Sequence, residues 1–350
     1  MPDVTPLSSR IPTGERPLFP EAVDGVSWRA ATAADIDAIT ALHRVADPID
    51  HPTFGTPRGD IVELFESSWI DPALDVVVGA RGDEVVAYGQ ATVIPGTAGF
   101  AETTLSGVVH PGHRGRGLGG ALLDWQQARA LEHLALVEEP VEGRMNAYTS
   151  SEQAALHRLL ERRGFGVVRA FDELSRDTAE DIPEIAIPEG LELVPYSQQW
   201  SAATMAAKNE TFADHWGSLP ETVEHWEQRN TTAANGAGGL RTDASLLLVG
   251  RDESGADEVV AFVLTTVNEE DWERLGHPFG YITLVGVRRS QRGRGAAQAL
   301  LAAVLLRYRE LGWQRATLHV DTTSPTGADR LYRRIGFVPA ARELVYGRTF

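Results

Sequence analysis

A chain of 350 residues has room for two domains of ordinary size, each with its own core. Hydrophobic residues at 43% and charged residues at 23% are the composition of a globular protein, and 32 Lys and Arg against 49 Asp and Glu leave a formal net charge of -17, a field that excludes nucleic acid and anionic lipid surfaces as partners. Cysteine is absent, so disulfides, thiolate nucleophiles and Cys-ligated metals are excluded, and the ten histidines show no His-Glu-x-x-His spacing for zinc. No run approaches the roughly 20 apolar residues of a membrane span, and the expected location is the cytoplasm.

In chain order, residues 1–25 hold several prolines and read as a loose N-terminal extension. A short strand near Trp28 leads into a helix after Thr32, an N-cap with Asp35 three residues on. A second helix is predicted over 61–69, then strands over 75–80, 84–93 and 103–109. A further helix starts near Gly117, followed by a strand over 145–148 and a helix from Glu152. Residues 177–189, acidic and proline-containing, read as a linker. The same order then repeats: strands over 245–251, 258–267 and 281–287, a helix over 295–311, a strand over 316–320 and a helix over 326–335. These elements predict a mixed α/β sheet with helices on both faces in each half, a first domain over 26–176 and a second over 190–350. Two stretches break the match. Residues 231–239 read as a flexible loop, and 268–273 as an acidic insertion.

The repeat is sharpest at one place. A strand ending in Val108-Val109 runs into Arg114-Gly115-Arg116-Gly117-Leu118-Gly119, and a strand ending in Val285-Gly286-Val287 runs into Arg292-Gly293-Arg294-Gly295-Ala296-Ala297. A basic, glycine-rich strand-to-helix loop gathers backbone N–H groups and the positive end of a helix around one point, which suits a pyrophosphate. Both halves also end alike, Leu159-Leu160-Glu161-Arg162-Arg163-Gly164-Phe165 against Leu331-Tyr332-Arg333-Arg334-Ile335-Gly336-Phe337. The glycine after each Arg-rich turn fits a helix C-terminal cap.

The Val-x-Val strand end, the Arg-x-x-Gly-x-Gly/Ala loop and the Leu-Tyr-x-x-x-Gly-Phe helix end together resemble the GNAT family of acyl-CoA-dependent N-acetyltransferases, from Trp28 to the C-terminus, as two tandem domains. The layout is similar to that of mycothiol synthase and its relatives. The resemblance implies acetyl-CoA as cosubstrate. It implies that Arg292, Gly293, Arg294, Gly295, Ala296 and Ala297 hold the diphosphate, that Val285, Gly286 and Val287 line the pantetheine arm, and that Tyr332 is the general acid that protonates the departing thiolate. Val108, Val109, Arg114, Gly115, Arg116, Gly117, Leu118 and Gly119 offer the same binding surface in the first half. There Leu160 stands in the place of Tyr332, so the second half is expected to be the catalytic one and the first a degenerate copy.

The mycothiol synthase group carries a Glu base on the strand before the loop. Tyr281 matches that position here, and a phenol, with an ordinary pKa of about 10, is a poor base near neutrality. The base is left open between an ordered water, His319 and an acidic side chain of 269–273. The leading function is acetyl transfer to the amine of a small molecule. The alternatives are a coenzyme A-binding or sensor protein without turnover, and a mycothiol synthase-like enzyme. The assembly is expected to be a monomer acting as a pseudo-dimer, or a homodimer.

Overall fold

The computed structural model describes residues 5–12, 14, 17–93, 99–232, 239–323 and 327–350, with backbone only for 228–232. In chain order the elements are α1 (Leu7–Arg10), β1 (Ser27–Ala30), α2 (Ile36–Asp50), α3 (Arg58–Glu66), α4 (Pro72–Asp75), β2 (Val76–Arg81), β3 (Glu84–Val93), β4 (Phe100–Val109), α5 (Leu118–Leu134), β5 (Glu142–Ser150), α6 (Ala154–Arg162) and β6 (Gly166–Asp177). They continue as β7 (Glu192–Pro195), α7 (Ser201–Thr211), α8 (Val223–Thr232), β8 (Gly239–Leu240), β9 (Leu246–Arg251), β10 (Asp257–Val267), α9 (Glu269–Leu275), β11 (Phe279–Val287), α10 (Ala296–Glu310), β12 (Arg315–Asp321), α11 (Ala328–Arg334) and β13 (Val338–Thr349).

Two compact units divide the chain: Met1–Ala170 with Glu343–Phe350, and Phe171–Arg342. In the first unit the strands lie in the order β1-β2-β3-β4-β5, and the 343–349 part of β13 pairs antiparallel with β5. In the second the order is β12-β11-β10-β9-β7, β8 pairs with β10, and the 171–177 part of β6 pairs antiparallel with β12. Each unit therefore takes its last strand from a distant part of the sequence. Residues 343–350, read from the sequence as the end of the second half, are held by β5, from Glu343 opposite Ser150 to Thr349 opposite Arg144.

The central strands are continuous apolar runs because both faces are covered. Val76, Val77 and Val78 in β2 and Leu246 to Val249 in β9 are all buried. The predicted cap at Thr32 is present: Asp35 accepts from the Thr32 N–H at 2.8 Å, and the Arg29 guanidinium beside it draws the Asp35 carboxyl down to about 2. The N-terminal stretch is not loose over its described residues. Leu7 is fully buried, its N–H donates to Glu139 O, and the Trp125 indole donates to Leu18 O. The acidic insertion is helix α9, with Asp271 buried and held by Arg274 at 2.9 Å. Of the loop predicted over 231–239, residues 233–238 lie outside the described residues.

Both predicted glycine caps form. Gly164 and Gly336 take φ of 82° and 92°, and the next N–H reaches back, Phe165 to Leu160 O and Phe337 to Tyr332 O, both at 3.1 Å. The bond fixes the carbonyl of Leu160 in the first half and of Tyr332, its counterpart, in the second. Gly336 is doubly constrained, since a Cβ there would lie 1.6 Å from a guanidinium nitrogen of Arg176. That arginine donates to Ile335 O and to Asp181 O.

Candidate active site

The two loops have the same backbone. After β11 a short 3₁₀ turn over Arg289–Gln291 leads to Gly293 and Gly295 at φ 78° and 85°, and Gly295 opens α10. After β4 the turn Pro111–His113 leads to Gly115 and Gly117 at φ 76° and 94°, and Gly117 opens α5. Neither helix has a side-chain cap or an acidic residue in its first turn. The first intrahelical bond of α10 runs from Ala299 N–H to Gly295 O, so the amides of Ala296, Ala297 and Gln298 lack intrahelical partners. An anion placed there would meet several donors and the helix dipole.

The arginines of the two loops are in different electrostatic states. Both η nitrogens of Arg114 lie on the Asp50 carboxylate, at 2.9 and 2.6 Å, and Arg116 reaches Asp24 at 3.1 Å. That hydrogen bond is the main reason the Asp24 carboxyl is lowered. Arg292 places its Nε on Val287 O at 3.1 Å, and Arg294 bonds Gln291 and Glu189 O. Among the described residues neither forms an ion pair. The equivalent Nε of Arg114 lies on Val109 O at 2.9 Å, so the posture is shared and only the partners of the η nitrogens differ.

The strands before the loops show which amides are free. Arg288 N–H donates to Val260 O, and Gly286 is paired opposite Phe262, so by alternation Gly286 faces β10 while Val285 and Val287 turn their polar groups the other way. On that side β12 is parallel to β11 only from Phe279 opposite Arg315 to Tyr281 opposite Thr317. Beyond this the strands part, which leaves the outer edge of Val285 and Val287 unpaired by β12. The first unit parts in the same way after Thr104 opposite Asn146, and there His110 N–H donates to Val86 O, so Val109 faces the gap and Val108 faces β3. Of the three sequence-predicted strand residues other than Val285 and Val287, Val109 alone shares their orientation. Gly286 instead admits Phe262, whose ring lies 2.3 Å from where a Cβ would sit, and the Val108 side chain is in the core.

One further difference separates the units. The β10–β11 register slips between Leu264 opposite Leu284 and Thr265 opposite Ile282, leaving Thr283 as a bulge, whereas β3–β4 runs unbroken from Ala87 opposite Val109 to Val93 opposite Thr103. Tyr281 lies two residues before the bulge. Its hydroxyl is 2.9 Å from His319 Nδ1, and His319 Nε2 is 4.0 Å from a Glu173 carboxylate oxygen. Burial pushes the His319 imidazole down to about 4, so it is neutral at neutral pH. Glu173 was not among the sequence candidates, because β6 reads as the close of the first half.

Tyr332 on α11 is 7% exposed and packs edge-on against Phe337 with ring centroids 5.9 Å apart. Burial pushes its phenol up to about 12, which keeps the proton on at neutral pH. Leu160, its counterpart, is buried among Leu123, Met145 and Phe165. His157, one turn earlier, is held on Ser150 O at 3.0 Å and stacked on Tyr346. In the second unit, then, a phenol, a neutral imidazole and a loop with uncompensated positive charge border the same parted pair of strands and its following helices.

Residues 203–337 match the acetyltransferase (GNAT) family and residues 72–167 match a GNAT acetyltransferase domain. A Streptomyces coelicolor protein named mycothiol acetyltransferase is 30% identical over 333 residues, covering 94% of this chain and 92% of its own. Among solved structures, a GCN5-related N-acetyltransferase from Sphaerobacter thermophilus superposes with a TM-score of 0.69 at 27% identity, covering 94% of this chain and 97% of that one. A tandem GNAT protein from the clavulanic acid biosynthesis pathway superposes with a TM-score of 0.67 at 16% identity, covering 93% and 98%, a likeness of fold. Among the described residues no helix is long and apolar enough to cross a membrane, and no group of three or more His, Asp or Glu is arranged to hold a metal ion.

Proposed function

The chain belongs to the GNAT family of N-acetyltransferases, with acetyl-CoA as its cosubstrate, and we propose on that premise that its second unit transfers the acetyl group to the amine of a small molecule while the first unit is structural. The observation that carries this assignment is the state of the two loops: Arg114 and Arg116 are neutralised by Asp50 and Asp24, whereas among the described residues Arg292 and Arg294 carry no carboxylate. A diphosphate entering the first loop must displace an internal anion. In the second it meets unspent charge.

With the diphosphate on the loop, the pantetheine arm runs back along β11 and exchanges hydrogen bonds with Val287 and Val285 as an added strand would. Its thioester end then comes to the bulge at Thr283. A main-chain N–H beside the bulge steadies the oxyanion when the amine attacks. Tyr332 donates its proton as the C–S bond breaks. A thiolate forming in the same poorly solvated place has its own pKa raised, which narrows the gap to a phenol near 12.

The test is thiol release from acetyl-CoA with a panel of primary amines. Turnover that follows amine concentration supports the proposal; tight acetyl-CoA binding with no release from any amine refutes it. The names of the relatives favour a second reading, a mycothiol precursor as acceptor. That reading has to account for Tyr281 where the resemblance places a carboxylate.

A further inference from the structure

We propose that Tyr281, His319 and Glu173 form the proton-accepting relay of the second unit, with Tyr281 as the group that meets the acceptor nitrogen and His319 and Glu173 as positioning residues behind it. The inference rests on the acetyl-transfer reading and names the base which that reading leaves open.

Three strands converge to make the relay. Tyr281 is the last residue of β11 paired with β12, so it sits where the gap opens. His319 is two residues past the Thr317 partner of Tyr281, on the same face of β12, and Glu173 lies directly opposite His319 on β6. The phenol hydroxyl reaches Nδ1 at 2.9 Å, while Nε2 faces the carboxylate at 4.0 Å. Glu173 is 6% exposed. A buried carboxylate beside Nε2 favours the tautomer with its proton there, leaving Nδ1 as the acceptor toward Tyr281. A neutral imidazole is required for this, and burial keeps it neutral.

The first unit supplies an internal comparison. At the positions set by its own last parallel pair stand Thr104 for Tyr281 and Tyr148 for His319, and the strand beside Tyr148 presents Val345 where Glu173 stands. At these positions imidazole and carboxylate are both missing from the unit whose loop arginines are neutralised and which has Leu160 for Tyr332. The polar chain goes with the other features of the catalytic half.

The proton balance is complete. A neutral amine attacks the thioester carbon, forming the C–N bond, and its nitrogen becomes acidic in the tetrahedral adduct. One N–H proton passes to the Tyr281 oxygen as the tyrosine proton passes to His319 Nδ1, giving an imidazolium that faces Glu173. The C–S bond breaks, and the thiolate takes a proton from Tyr332. The imidazolium proton then leaves to solvent, from which Tyr332 is reprotonated. The net change moves one proton from nitrogen to sulfur. The timing matters: an imidazole with a lowered pKa cannot strip a free ammonium ion, but it can take a proton from the adduct.

Two measurements test the relay and keep its failure apart from that of acetyl transfer. In ¹⁵N-histidine spectra at pH 7, with His319 identified by its loss in His319→Ala, a neutral ring with Nδ1 unprotonated is expected, and Tyr281→Phe should shift that Nδ1 signal. In turnover with the fastest amine of the panel, Tyr281→Phe and His319→Ala should lower kcat by ~10²-fold or more with the acetyl-CoA Kd within about twofold, the usual worth of a positioned base. Added imidazole should restore part of the His319→Ala rate, and Glu173→Asp should recover more activity than Glu173→Gln. A protonated Nδ1, or unchanged kcat in His319→Ala, overturns the relay and leaves acetyl transfer standing. No turnover by the unmodified protein with any amine overturns acetyl transfer and the relay with it.

Discussion

Replacing Arg292 by Ala should weaken acetyl-CoA binding far more than replacing Arg114, and the structure sets the size of the difference. Arg292 holds the strand end through Nε on Val287 O at 3.1 Å, and among the described residues its η nitrogens meet no carboxylate. A hydrogen bond from a guanidinium to a phosphate contributes about 1.5–3 kcal/mol. The loop is exposed, so the lower half of that range applies, which is about 10–50-fold in Kd. Arg114 has both η nitrogens on Asp50 at 2.9 and 2.6 Å, and an exposed pair of this kind contributes about 0–1 kcal/mol to anything measured. Its loss should change acetyl-CoA affinity by less than about fivefold. Titration calorimetry of acetyl-CoA into the unmodified protein and both variants at 0.1 M salt reads the difference directly. The melting temperature of each variant, measured alongside, checks that the fold is intact. A loss from Arg114→Ala equal to or larger than that from Arg292→Ala would refute the reasoning and put the coenzyme in the first unit.

Tyr332→Phe should lower kcat by ~10²–10⁴-fold while leaving the acetyl-CoA Kd in place, and an unchanged rate would remove Tyr332 from the reaction. Gly336→Ala forces a side chain into a φ of 92° and against the Arg176 guanidinium, so it should destabilise by about 2–4 kcal/mol in denaturant unfolding, with a midpoint shift under a third of that counting against the cap. His319 has a folded pKa near 4 against an ordinary 6.5, so from pH 6.5 down to 4 the unfolded chain takes up a proton that the folded one refuses. Stability should fall across that window by up to about 3 kcal/mol, and His319→Gln should flatten the slope in urea titrations at each pH.

Much of this was legible because it is local. Gly293 and Gly295 follow Arg292 within three residues, and a glycine pair between a β-branched strand end and an Ala- and Leu-rich helix has few other solutions. The caps at Gly164 and Gly336 were legible for the same reason, as was the Thr32–Asp35 box. The unreadable parts are all long-range. Nothing near Asp50 says that it will meet Arg114, and nothing in 343–350 says that it will pair with β5. The N-terminal stretch looked loose because its prolines and polar residues hide one buried leucine, Leu7, which settles among Ala101, Leu134 and neighbouring apolar side chains. The sequence marks 268–273 only as an acidic insertion. Its Asn268 cap position, Asp271–Arg274 pair and the Trp272 indole bond to Phe279 O make it a helix.

The duplicated halves also separate what a glycine loop is for from what it is used for. Gly115, Gly117, Gly293 and Gly295 all adopt positive φ, so each loop needs its glycines simply to turn a strand into a helix. The apolar cores and the C-terminal caps are likewise present in both units. The differences fall on groups that do not hold the backbone: the partners of the loop arginines, Leu160 against Tyr332, Thr104 against Tyr281, Tyr148 against His319, Val345 against Glu173. A loop motif is therefore evidence for a junction first. It becomes evidence for a coenzyme when its cations are left without internal anions, and Asp50 and Asp24 are the residues that decide this for the first unit. Glu173 extends the same logic to the strands. Because β6 supplies the last strand of the second unit, a residue written at the end of the first half completes the polar chain behind Tyr281, and its effect belongs to the chemistry of the half that follows it.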